Sequence, residues 1–127
     1  MPCSNTIRAL CAASALVACS VAFAHPKLLS STPADQGEVA APAKIELNFS
    51  ETLLPEFSAA TLLMTAMPGM ADHPPMKMAF TVTSGADGKT MVITPTQALA
   101  AGTYRVDWRA VSADTHRVTG NITFQVK

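Results

Sequence analysis

The residues of this chain with the chemistry to hold a metal ion are three histidines and a cluster of methionines. The cluster is MTAMPGMADHPPMKM, residues 64–78, with five methionines, three prolines and one histidine. Pro68, Pro74 and Pro75 remove amide donors and clash with a preceding turn, so the run is no helix. Pro74-Pro75 and Gly69 also break a strand ladder. The expectation is an irregular surface segment carrying Met64, Met67, Met70, Met76 and Met78. A thioether is a soft, neutral donor that selects Cu(I). Unlike a thiol it cannot be locked into a disulfide, although it can be oxidised to the sulfoxide. An irregular loop would let Met64, Met67, Met70 and Met76 converge with His73 on one ion. A Met-rich adaptable surface for a protein partner has the same composition.

The other two histidines suggest a harder site. His25 follows Ala22-Phe23-Ala24, and a cut after Ala24 would make it the first residue of the processed chain. A terminal histidine offers its α-amine and ring Nδ1 to one metal. Pro26 has no amide hydrogen, so the chelate cannot extend into the next backbone nitrogen. Asp114-Thr115-His116 can supply more ligands, because in an extended segment residues 114 and 116 project to the same face. Amine, two imidazoles and a carboxylate form a tetragonal N/O set that favours Cu(II). The bland alternative for Asp114 and His116 is a polar loop after a strand.

Bulk features bound what these residues can serve. Residues 1–24 carry Arg8, a small apolar run from Ala9 to Ala18, and the Ala-Phe-Ala ending. That order is a secretory signal peptide, too short and alanine-rich for a stable membrane span. Leu16-Val17-Ala18-Cys19 loosely suggests a lipoprotein signal as a rival, which would keep the His25 nitrogen inside a peptide bond. Cys3, Cys11 and Cys19 all precede residue 25, so the exported part has no disulfide framework. Residues 25–127 fit one domain. Nine basic residues balance nine acidic ones with no basic block, which argues against nucleic acid or an anionic membrane as partner. No second apolar run reaches spanning length.

Positioning falls to short strands. Ile45, Leu47 and Phe49 alternate with Lys44, Glu46 and Asn48, the period of a half-buried strand. Tyr104, Val106, Trp108 and Ala110 alternate with Arg105, Asp107 and Arg109 in the same way, and Ile122, Phe124 and Val126 close the chain. Weaker candidates are 27–31, 61–65, 78–83 and 90–94. About seven strands between Pro, Gly, Asp and Ser predict an all-β, antiparallel sandwich of Greek-key type. Trp108 and Met91 are expected in its core.

HPKLLSSTPA, PAKIELNFSE, the MTAMPGM loop with its histidine, and GTYRVDWRAVSADTHRVTG together resemble the CopC family of periplasmic copper-resistance proteins, PcoC included. The resemblance covers nearly all of residues 25–127. It implies a cupredoxin-like, seven-stranded sandwich or barrel with Cu(II) and Cu(I) sites at opposite ends. By position, the implied Cu(II) set is His25, His116 and Asp114, with Glu51 as a further or supporting carboxylate. The implied Cu(I) set is His73 with some of Met64, Met67, Met70 and Met76. The loop is one residue longer between Met70 and His73 than the family pattern, and Met78 is an additional thioether. The expected function is a monomeric periplasmic copper carrier, without catalytic activity, passing copper to an inner-membrane importer of the CopD type. The competing reading is a copper monooxygenase acting on polysaccharide, which also uses a chelating N-terminal histidine. The short chain and its few aromatics weigh against that enzyme.

Overall fold

Alternation sets which side chains turn inward, and the computed structural model, which describes residues 25–70 and 73–127, places them there. After β1 (Leu28–Thr32) and β2 (Glu38–Val39) comes β3 (Ile45–Phe49), with Ile45, Leu47 and Phe49 buried between half-buried Glu46 and Asn48. β4 (Ala59–Ala66), β5 (Met76–Lys77), β6 (Phe80–Ser84) and β7 (Thr90–Pro95) follow. The chain ends in two ten-residue strands, β8 (Gly102–Val111) and β9 (Arg117–Val126).

These strands form two sheets, ordered β1-β3-β7-β6 and β2-β9-β8-β4-β5. All neighbours are antiparallel except β2 and β9. The chain passes repeatedly from one sheet to the other, as a Greek-key sandwich requires. Seven of the strands have five or more residues and coincide with the seven expected. β2 and β5 have two residues each, too few for alternation to reveal them.

Aromatic side chains fill the space between the sheets. Trp108 packs edge-on against Phe49 at 5.0 Å, and Tyr104 stacks on Phe124 at 5.7 Å. Such pairs contribute about 0.5–1.5 kcal/mol each beyond their buried area. The Tyr104 hydroxyl donates to the Ala100 carbonyl at 2.7 Å, giving the buried ring a partner for its polar tip. Burial pushes that hydroxyl's pKa above its usual value. Met91 is buried in the same core, as expected.

β8 is the ruler of the molecule. Ten residues of strand span roughly 30 Å. At its start Thr103 pairs with Ala66, which fixes where the methionine segment leaves β4. At its end Val111 pairs with Arg117, which closes the loop holding Asp114 and His116. The two candidate ligand sets therefore sit at opposite ends of one strand. The expected cleavage point and the Cys19 alternative lie outside the described residues.

Candidate functional site

Three chain segments converge at the histidine end. The Lys27 amide donates to Ser50 Oγ and the Ser50 amide to the Lys27 carbonyl, both at 2.9 Å. Leu53 forms a bridge with Ser112, and the Leu54 amide donates to the Val111 carbonyl at 2.8 Å. The residues beside His25, the stretch containing Glu51, and the β8–β9 loop are thus laced together by backbone bonds. Glu51 lies half-buried between the two points of attachment.

The loop itself is not extended, contrary to the expectation that placed residues 114 and 116 on one strand face. It is a turn closed by Thr115 N–H donating to the Ser112 carbonyl at 2.8 Å, with Thr115 at φ +67°. A β-branched residue held there costs about 1–3 kcal/mol. The turn nevertheless brings the two side chains together: Asp114 Oδ2 lies 2.8 Å from His116 Nδ1. Asp114 Oδ1 accepts from Ser112 Oγ, and from the His116 amide at 3.2 Å. The Ser112 hydroxyl first, and then His116, hold the Asp114 carboxyl well below the ordinary carboxylate range. An ionised carboxylate on Nδ1 fixes the imidazole tautomer and makes Nε2 the nitrogen that would face a metal. The His25 ring meets the His116 ring edge-on, with centroids 4.4 Å apart.

This geometry can present two imidazoles to one ion, with Asp114 orienting the second. No set of three or more His, Asp and Glu side chains forms a metal cage among the described residues. Ser112, buried and anchoring Asp114, escaped the sequence reading. Its signal was there in Ser-Ala-Asp, because serine and aspartate near one another in a turn bond locally.

At the other end the methionines divide. Met64 is only 4 % exposed and belongs to the core, which corrects its assignment to a surface loop. The strand expected over 61–65 already contained it, and β4 pairs Met64 with Tyr104 on one side and Met76 on the other. Its Cε reaches within 2.8 Å of where a Cβ on Gly102 would stand. Met78 is half-buried against the same core. Met67, Met70 and Met76 remain exposed, at 37, 56 and 48 %.

Nor is the segment wholly irregular. The Met70 amide donates to the Met67 carbonyl at 2.9 Å and the Met67 amide to the Met70 carbonyl at 3.3 Å. Pro68 and Gly69 (φ +78°) fill the corner positions that a type II turn demands. Residues paired this way put their side chains on one side, so the turn presents two thioethers together. Two residues outside the description separate Met70 from His73. His73 Nδ1 lies 2.8 Å from the Pro74 carbonyl, while its Nε2 is buried with no hydrogen-bond partner among the described residues.

With this geometry in hand, the comparisons are informative. The CopC domain profile matches residues 28–127. The chain belongs to the CopC family. It is 61 % identical over 115 residues to copper resistance protein C of Pseudomonas syringae pv. tomato, covering 91 % of this chain and 90 % of that one. It is also 61 % identical over 106 residues to copper resistance protein C of Escherichia coli, covering 84 % of each. Among solved CopC-family structures, PcoC, described as a methionine-rich copper resistance protein from Escherichia coli, superposes with a TM-score of 0.76. The identity is 60 %, over 82 % of this chain and all of that one.

Proposed function

We propose that this chain is a copper carrier of the periplasm, with separate sites for Cu(II) and Cu(I). Copper itself is suggested by the names of the family relatives. The observation that carries the Cu(II) site is the contact of the His25 and His116 rings, the latter oriented by Asp114. Cleavage after Ala24 would free the His25 amine, adding a nitrogen to the two imidazoles. Glu51, on the segment tied by backbone bonds to Lys27 and to the β8–β9 loop, would serve as a fourth or supporting ligand. For Cu(I), the donors are His73 with Met67, Met70 and Met76, the exposed members of the segment. Met64 stays in the core behind them.

The expected role is to hold copper in a compartment where thiols are oxidised and to deliver it to an inner-membrane importer of the CopD type. The protein would act as a monomer and without turning over a substrate. The decisive experiment compares the chain beginning at His25 with one carrying a single glycine ahead of it. The extra residue should sharply weaken Cu(II) binding and leave Cu(I) binding unchanged. Equal Cu(II) affinity in the two chains would show that the amine is not a ligand.

A further inference from the structure

Beside the histidine end, a cleft of about 390 Å³ opens between the turn at Glu56-Phe57 and the ends of β8 and β9. Its walls are Glu56, Phe57, Arg109, Val111, Thr115 and Arg117. Thr115 is the residue between Asp114 and His116, so the cleft abuts the candidate Cu(II) site directly.

The surface cations divide into those with and those without a carboxylate partner. Lys44, Arg105 and Lys127 each face a carboxylate, of Glu46, Asp107 and Glu38 respectively. Arg109 and Arg117, like Lys27, Lys77 and Lys89, form no ion pair among the described residues, but only these two arginines line this cleft together. They stand diagonally on neighbouring strands, since Arg109 pairs with Thr119 and Val111 with Arg117. Diagonal neighbours on one sheet face lie within reach of a single ligand. Arg109 is also held in place, its Nε donating to the Phe57 carbonyl at 3.0 Å, which leaves its terminal nitrogens to bind outward. Phe57 itself is 58 % exposed, an aromatic ring in solvent at the lip of the cleft. Glu56 is the single carboxylate in the lining, against two guanidinium groups.

We propose that this cleft docks an acidic segment of a partner protein, one that carries an apolar side chain beside its carboxylates. Two guanidinium groups suit paired carboxylates, and Phe57 supplies the apolar contact that a bare anion would not use. A second copy of this chain fits poorly, because it would bring two more arginines against only one Glu56. Docking here would set a partner's carboxylates next to His116. That this serves copper transfer rests on the copper reading above, whereas the docking itself does not.

The test uses metal-free protein starting at His25, labelled for NMR, and the peptide acetyl-Asp-Glu-Phe-Glu-Asp-amide. Shifts should concentrate at Phe57, Arg109, Thr115 and Arg117 and weaken with added salt. R109Q/R117Q should reduce peptide affinity about tenfold or more. F57S should weaken the peptide without removing it, and it gives a second probe if the double variant folds poorly. The neutral peptide acetyl-Asn-Gln-Phe-Gln-Asn-amide should not bind. Unchanged peptide affinity in R109Q/R117Q, or shifts lying elsewhere, would overturn the proposal. So would acetate reproducing the same shifts at the same concentration, or self-association of the free protein through this face. Because copper is absent from the titration, these outcomes are independent of whether the Cu(II) site is correct.

Discussion

The two ends of β8 hold candidate ligands in opposite ways. At the histidine end, Ser112 anchors Asp114, Asp114 orients His116, and backbone bonds tie in the segments bearing His25 and Glu51. At the methionine end, a two-residue turn presents Met67 and Met70 to solvent, and no side-chain hydrogen bond ties them in among the described residues. Each suits its ion. A hard, directional N/O site gains from fixed ring orientation, whereas soft thioethers on flexible stems can adapt their geometry around Cu(I).

That contrast can be sharpened first at its boundary with the core. Met64→Ala should cost about 2–5 kcal/mol of unfolding free energy, the usual loss for a buried side chain of this size. Replacing Met67, Met70 and Met76 together should cost about 1.5 kcal/mol or less, since exposed substitutions typically stay within ±0.5 kcal/mol each. Urea denaturation of the metal-free variants checks both. A triple variant as unstable as Met64→Ala would mean that the exposed thioethers are packed after all.

The next effect concerns the support behind His116. Ser112→Ala should weaken Cu(II) about 10–100-fold, the range for loss of a partner that orients a ligand. Competition with a chelator of known affinity reads this out. The same change should raise the Asp114 pKa toward the ordinary carboxylate value, seen in its carboxyl ¹³C shift. The sign follows from Asp114 being held low in the folded chain. Its contribution to stability is present above the unfolded carboxylate pKa and is lost as pH falls through the folded one. The wild-type loop should therefore keep its carboxylate–imidazole contact further into acid than the Ser112→Ala loop. If Asp114 titrates identically in both, the hydroxyl is not what holds it.

The smallest expected effect is none. Copper-loaded protein given a reductant and polysaccharide should release no oxidised sugars above a free-copper control. Products that vanish in His25→Ala would make the histidine end a catalytic centre.

How far the sequence could be read follows the same division. Period-two patterns in β3, β8 and β9 marked the sandwich because one face of each strand is buried and the other is not. Asp114 and His116 were found by residue type, but for the wrong geometry: a turn with Thr115 at positive φ joins them, and alternation carries no signal for that. Met64 was read both as part of a strand over 61–65 and as part of an irregular surface run, and proline and glycine further along gave the second reading too much weight. The Arg109–Arg117 cleft was invisible, since it depends on the register of β8 against β9 and on where residue 57 folds back.

The separation of the two sites is tested most directly by a crossed pair of variants of the chain beginning at His25. His116→Ala should lose the nitrogen hyperfine pattern of bound Cu(II) in EPR yet keep the copper–sulfur scattering of bound Cu(I) in X-ray absorption. The Met67, Met70 and Met76 triple variant should do the reverse. Loss of both signals in either variant would mean one shared site, and retention of the sulfur shell in the triple variant would place Cu(I) elsewhere.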